Sequence, residues 1–274
     1  MGWVKNINTS ILTFNIAQFF TFLNHQLLPN FFDKASFNTK VSKFFGNYLV
    51  GKQTKYVWNN FSSHLFSVNV GVGQGSALSP ILFTLYLSLI LHILKKWLKS
   101  LKIPTSFLSF VNNSLLITQN KSLSISNSFL FCSYQIILSL FKKFSLKLEH
   151  SKTEIFHFLH STSPFNLPSL NLSLLDSFIL QPRNIWKYLE FIFNRKLSFW
   201  SHINFDINKA MSMVKNMKLL GNSTCGLAPQ QKYPLYRSCV LYITLYSHQL
   251  WFYNKAPLSY PIREPNKMQC YAVI

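Results

Sequence analysis

Few side chains in this 274-residue sequence could do chemistry unaided: there are only 7 Asp and Glu, 8 His and 4 Cys. Cys132, Cys225, Cys239 and Cys270 show no CxxC spacing and no finger-like histidine pair, so zinc finds no ligand set at usable spacing. His157 and His160 stand three apart, in a stretch that alternates like a strand. The more telling residues are amides and glycines. Asn112-Asn113 sits between two apolar runs, Asn15 lies inside another, and Gly71-Val72-Gly73-Gln74-Gly75 leads into Ser76. On its own, Asn112-Asn113 reads as a tight turn, because asparagine tolerates left-handed backbone.

The formal charge is +20, yet Lys and Arg number an ordinary 27. The charged share is 12%, against about 25% in typical domains, so the charge comes from missing acids. A basic balance of this kind is compatible with phosphate partners without demanding them. The deficit is selective: Asp33, Asp176 and Asp206 are the only aspartates, beside 24 Asn. Drift from G to A in the coding strand turns Asp codons into Asn codons directly; a coding sequence without that bias would contradict this origin.

Several elements must position these residues. Ser10 to Phe20 opens as an apolar strand, and helices are expected around His25–Ala35 and Thr39–Leu49. Thr54 to Val72 alternates around Asn59-Asn60, as a hairpin does. A long helix is expected from Ser79 to Ser100, with Pro80 suited to its first turn. Ser106 to Thr118 reads as two strands hinged on Asn112-Asn113, followed by a helix over Ser126–Lys143 and a strand over Lys152–Phe158. His160 to Pro182, rich in Ser, Pro and Asn, reads as a loop and a boundary. Trp186 to Phe193 reads as a strand, and helices over Ser201–Leu220 and Gln230–Trp251 finish the chain. This order predicts an α+β fold, an antiparallel sheet with helices on one face.

The longest apolar run, Ile81 to Leu94, is 14 residues, short of the roughly 18–20 that span a bilayer. Thr84, Ser88, His92 and Lys96 form a narrow polar stripe along it, which suits a core helix. The N-terminus lacks the order of a signal peptide. The expectation is an intracellular protein, in cytoplasm or nucleus, that does not enter a membrane.

Five segments resemble, in order, the elements of non-LTR (LINE-type) retrotransposon reverse transcriptases. Phe14-Asn15-Ile16-Ala17-Gln18-Phe19-Phe20 resembles the strand bearing the first catalytic Asp. Gly71 to Pro80 (GVGQGSALSP) resembles the GxPQGSxLSP segment, and Phe110-Val111-Asn112-Asn113 the FxDD hairpin. Ser151-Lys152-Thr153-Glu154 resembles the SKTE element. Trp186-Lys187-Tyr188-Leu189-Glu190 with Arg195-Lys196-Leu197-Ser198 resembles the YLG…RKLS element of the primer-gripping hairpin. Each is weak alone; together they are specific, and the resemblance covers roughly residues 10–255.

The resemblance implies an RNA-directed DNA polymerase: a palm over 1–160 lacking fingers, a loop and primer-grip-like hairpin over 161–198, and a truncated, thumb-like helical segment over 199–274. Family members hold two Mg²⁺ ions on three aspartates, whose positions here are Asn15, Asn112 and Asn113. Mg²⁺ favours hard anionic oxygens, and an amide carbonyl brings no charge. The expectation is therefore a degenerate active site without bound Mg²⁺, a pseudoenzyme whose hold on an RNA or DNA template-primer is weak or lost. The resemblance assigns Lys152 to phosphate or pyrophosphate, though a solvated surface lysine explains it equally. Phe20 matches the aromatic that screens the sugar 2′-position, or is a core residue. Gln74, Gly75 and Ser76 keep the turn that approaches the template, and Tyr188, Leu189 and Glu190 correspond to primer contacts. Ser114 and Glu190 replace family glycines, and Asn194 a common aspartate; each is one G-to-A change. Two other readings stay open: a nucleic-acid-binding remnant without chemistry, and a membrane-associated protein.

Overall fold

The computed structural model describes residues 7–18, 20–28, 32, 37–73, 75–159, 167–172, 179–219 and 226–251. The chain divides into two compact units, Met1–Arg183 and Asn184–Ile274.

The first unit is built on a four-stranded antiparallel sheet. Its strands are β1 (Asn8–Ala17), β6 (Thr105–Phe110), β7 (Asn113–Asn120) and β8 (Lys147–Phe158), in the order β6-β7-β1-β8. Alternation along β1 sets its two faces: Leu12, Phe14 and Ile16 are buried, while Thr13, Asn15 and Ala17 are half-buried. Against the Leu12 face pack two long helices, α2 (Leu78–Ser100) and α3 (Leu123–Lys143), which contribute Leu82, Phe83, Tyr86 and Ile90, and Leu130, Tyr134, Ile137 and Phe141, to one core. Phe14 meets Tyr134 edge-on at 5.6 Å between ring centroids. The buried Tyr86 hydroxyl donates to the Phe144 carbonyl at 2.6 Å, which satisfies a polar group the core would otherwise strand. Both helices are long and apolar enough to cross a membrane by length and composition, more than the 14-residue run suggested. Their inward faces are nonetheless part of the core beneath the sheet. The α+β expectation holds in this unit.

Helix α1 (Thr39–Leu49) starts where Asn38 caps it, its side chain accepting from the Lys40 N–H at 2.9 Å. A ribbon follows, in which β2 (Gln53–Thr54) pairs with β5 (Phe66–Ser67) and β3 (Val57–Trp58) with β4 (Phe61–Ser62) around Asn59-Asn60. Most of the helix expected over His25–Ala35 lies outside the described residues, as does much of the 160–182 loop. The described part of that loop contributes a short pair, β9 (Leu170–Asn171) with β10 (Ile179–Leu180).

Three expectations are corrected. The hairpin turn is Val111-Asn112, and Asn113 already belongs to β7, paired with Phe110. The apolar pattern explains this: Leu116 pairs with both Leu12 and Phe107 on the core side, and that register carries Asn113 into the ladder. Trp186 to Phe193 is a hairpin rather than one strand: β11 (Ile185–Tyr188) turns through Leu189-Glu190 into β12 (Phe191–Asn194). The last expected helix is broken into pieces. After helix α4 (Trp200–Leu219), α5 (Pro229–Leu235) widens over Tyr236–Leu241, and two short helices, α6 (Tyr242–Thr244) and α7 (His248–Trp251), follow. Pro234 inside α5 lacks the N–H that a regular helix needs there.

Candidate active site

The open face of the sheet brings together two of the sequence-predicted residues, with a third in the turn beside them. Asn15 on β1 is the direct cross-strand partner of Asn113 on β7, and the Asn112 carbonyl in the adjoining turn accepts the Ile16 N–H at 2.9 Å. Directly opposed residues share a face, so Asn15 and Asn113 stand side by side, away from the helices. The Val111 backbone that makes the turn has φ 54°, a conformation unusual for a β-branched residue. On the other flank of β1, Asn15 is paired with Glu149 of β8. The row across three strands therefore reads Asn113, Asn15, Glu149. Beyond it β8 bulges, because Thr13 pairs with Glu154 while Asn15 pairs with Glu149. Lys152 stands in that bulge and reaches back to Glu149, Nζ to Oε2, at 3.0 Å.

This donor set does not fit a pair of divalent cations. It offers three neutral amides and one carboxylate already engaged by an ammonium group. Among the described residues, no three His, Cys, Asp or Glu side chains gather as a metal cluster. His157 is buried with Nδ1 2.8 Å from the Ser10 hydroxyl, and His160 lies outside the described residues.

The Gly-rich segment is tied to the stretch of chain that follows β1. Gly71 donates to the Leu23 carbonyl at 2.7 Å and Val72 to the Phe20 carbonyl at 2.8 Å. Phe20 is half-buried, its ring edge-on to Phe83 of α2 at 6.3 Å. Gly75, at φ 88°, sits in open space where a left-handed turn is needed. The Ser76 hydroxyl meets the Tyr48 hydroxyl at 3.0 Å, and the Lys52 ammonium lies 3.6 Å from the centroid of the Tyr48 ring. Hydrogen bonds from Ser76 and Lys52 hold the Tyr48 hydroxyl below its ordinary pKa. Gln74 lies outside the described residues. Sequence reasoning missed Tyr48 and Lys52: they lie outside every recognisable segment and join the loop only in space.

A family profile for "Reverse transcriptase (RNA-dependent DNA polymerase)" matches residues 4–223. The chain belongs to the reverse transcriptase family. Among solved structures it is similar to telomerase from Candida tropicalis in complex with the TWJ fragment of telomeric RNA, with TM-score 0.50 and 14% identity over 88% of this chain and 38% of that one. It is also similar to telomerase from Candida albicans in complex with the same fragment, with TM-score 0.43 and 13% identity over 97% and 43%. At such identities the likeness concerns the fold alone, and the chain spans less than half the length of either telomerase. No curated protein matches the sequence.

The second unit of this reverse transcriptase-family chain carries the remaining predicted residues. Tyr188 closes β11, its neighbour Trp186 stacking on it at 5.2 Å and on Phe193 at 5.1 Å. Leu189 and Glu190 make the turn with φ 48° and 64°, both in the left-handed region. Where the resembled element has glycine, Glu190 accepts about 1–2 kcal/mol of backbone strain. Its carboxylate meets Lys187 at 2.9 Å, and that hydrogen bond holds it below its ordinary pKa. The Tyr246 hydroxyl donates to the Leu189 carbonyl at 2.7 Å. Asn194 accepts the Ser198 N–H at 2.8 Å and so closes the turn after β12.

Beneath this hairpin, buried His202 and Asp206 face one another one helical turn apart, Nε2 to Oδ2 at 3.2 Å. Burial pushes the Asp206 carboxyl up to about 6 and the His202 imidazole down, so each favours its neutral form. A raised carboxyl contributes stability in its protonated form, present below the unfolded value of 3.8 and lost as pH rises through about 6. Asp206→Asn is expected to stabilise the chain by about 2 kcal/mol at pH 7.5. The gain shrinks as pH falls from about 6 toward 4. Urea unfolding of both proteins at several pH values reads it, and a gain independent of pH would refute the assignment.

Proposed function

We propose that this chain is a non-LTR-type reverse transcriptase domain whose metal site has been lost, so that it does not polymerise. Asn15 and Asn113, paired side by side on the open sheet face with Asn112 in the adjoining turn, carry the reading. These are the positions at which the resembled enzymes place metal-binding aspartates. Nucleotide addition demands charge at that site to hold two dications against the primer hydroxyl and the triphosphate. Three amides supply none, and Lys152 compensates the one neighbouring carboxylate. The first unit is read as the palm; the β11–β12 hairpin and the helices after it are read as primer-grip-like and thumb-like elements. The excess of lysine over acid leaves a non-catalytic affinity for RNA and DNA that does not depend on the lost metals. An intracellular setting follows from the same reading.

The test pairs two measurements on the natural chain. Primer extension on an RNA template with Mg²⁺ or Mn²⁺ is expected to give no product, whereas oligonucleotide binding is expected to persist and to weaken steeply with added salt. Extension by the natural chain would overturn the loss of chemistry. Binding that ignores salt, or is absent, would overturn the retained affinity.

A further inference from the structure

The ribbon from Lys52 to Val68 projects side chains that a folded domain ordinarily hides. Trp58 is 77% exposed, Tyr56 70% and Phe61 65%. Register explains how they are arranged. Trp58 pairs directly with Phe61 across the Asn59-Asn60 turn, so the two rings share one face of the ribbon. Tyr56, two residues before Trp58, falls on the same face. Its carbonyl accepts the Ser63 N–H at 2.9 Å, and its own N–H donates to the Ser63 hydroxyl at 2.9 Å. Behind Tyr56 lies Phe66, 5.7 Å away between ring centroids. Three rings thus follow one another along a single surface.

Along the stretch of chain that carries the rings the charged side chains have one sign. No Asp or Glu occurs between Asp33 and Glu149, whereas Lys52 and Lys55 stand at the base of the ribbon and Lys40 and Lys43 on α1 before it. The ribbon is also joined to the Gly-rich loop. The Lys52 carbonyl accepts the Val68 N–H at 2.8 Å and closes the ribbon, while the Lys52 ammonium lies on the Tyr48 ring, whose hydroxyl meets Ser76. A strand of phosphates leaving the loop would therefore meet the lysines first and the rings next.

We propose that the exposed rings Tyr56, Trp58 and Phe61 form a stacking platform for unpaired bases of a single-stranded RNA or DNA, with Lys52 and Lys55 on its phosphates. Every base has a π-face, so such a platform tolerates sequence, and a basic surround supplies salt-sensitive attraction. The tip of the ribbon argues against a lipid surface: Asn59-Asn60 leads it, whereas an inserting loop leads with apolar residues. The inference rests on the proposed nucleic-acid affinity, and it assigns that affinity to a place outside the metal site.

The experiment is fluorescence anisotropy of labelled 12-nucleotide oligo(U) and oligo(dT) with the full chain at low salt. Comparison proteins are Trp58→Ala/Phe61→Ala, Trp58→Phe and Lys52→Gln/Lys55→Gln. The double alanine variant is expected to lose at least about 10-fold in affinity for single strands, while Trp58→Phe keeps most of it, because the ring rather than the indole is required. The glutamine variant is expected to show a shallower salt slope. Since the altered rings are exposed, circular dichroism should be unchanged. A preference for oligo(U) or for oligo(dT) names which strand is taken. If the double alanine variant binds as tightly as the natural chain, the platform is wrong and the affinity lies elsewhere. If the natural chain binds neither oligonucleotide, the platform fails together with the retained affinity. Loss of binding to phosphatidylserine vesicles, or of self-association in sedimentation, without loss of oligonucleotide binding would make the ribbon a membrane or dimer face and overturn the proposal.

Discussion

The triple variant Asn15→Asp, Asn112→Asp, Asn113→Asp is expected to bind Mn²⁺ at least about 10²-fold more tightly than the natural chain. Asparagine and aspartate are nearly isosteric, so the ladder Asn15↔Asn113 and the hydrogen bond from Ile16 to the Asn112 carbonyl survive the change. Only charge is added. Two unit charges about 4 Å apart attract by roughly 4 kcal/mol at an effective dielectric near 20, and Glu149 would stand in the same row as a further anion. Electron paramagnetic resonance titration of Mn²⁺ reads the binding directly. Unfolding supplies a second readout: metal at about 100 times the dissociation constant stabilises a site by roughly 2.7 kcal/mol, so Mn²⁺ should raise the midpoint of the variant and leave the natural chain unmoved. Without metal the variant should be the less stable protein, because three carboxylates repel one another. Equally tight Mn²⁺ binding by both proteins would mean that Glu149 or Glu154 already holds metal, and equally weak binding that these three positions form no metal site; either would overturn the reading of a lost site.

Much of this was legible in the sequence because periodicity and turn chemistry are local. The alternation at Leu12, Phe14 and Ile16, the capped helix from Thr39 and the helix from Leu78 all announce themselves within a dozen residues. Register is not local. Asn112-Asn113 looked like the turn because asparagines favour turns, yet the pairing of Leu116 with Leu12 and Phe107 moved Asn113 into the ladder and left Val111 in left-handed backbone. Periodicity read Trp186–Phe193 as one strand for the same reason, and only the family resemblance implied a hairpin there: neither Leu189 nor Glu190 is a turn-former, and cross-strand ring packing shows why the chain reverses.

Glu149 and Lys152 show what the sequence could offer for the site and what it could not. Lys152 was visible inside the SKTE element, whereas Glu149, two residues before it, belonged to no recognisable segment. That Glu149 falls opposite Asn15 depends on the bulge in β8, which sets back one half of the strand against the other. Tyr48 and Lys52 had no signal at all, since their relation to Ser76 exists only once α1 is packed beside the Gly-rich loop. The asparagine positions, by contrast, were found by their neighbours in sequence, and the fold brought all three to one end of the sheet.

Gly71 and Gly75 both hold left-handed backbone, at φ 79° and 88°, yet replacing each with alanine should have very different consequences. The conformational penalty is common to both, about 1–2 kcal/mol. At Gly75 nothing lies within 4 Å of the new Cβ, so that penalty is the whole effect. At Gly71 the Cβ would stand 2.8 Å from the Thr21 carbonyl oxygen and 3.0 Å from both the Phe20 oxygen and the Thr21 Cα. Those are backbone atoms and cannot swing aside. They are also fixed by the bonds from Gly71 to Leu23 and from Val72 to Phe20, and by His25 Nε2 at 2.5 Å from the Gly71 carbonyl. Relieving the clash means parting the Phe20–Leu23 segment from the Gly-rich loop and leaving those groups unpaired, at about 1–3 kcal/mol for each one that stays buried. Gly71→Ala is therefore expected to destabilise the chain by at least about 3 kcal/mol, near the limit of what a marginally stable domain tolerates. Urea midpoints of the two variants, measured side by side, test this. Equal and small losses would mean that the loop separates from the Phe20–Leu23 segment without resistance.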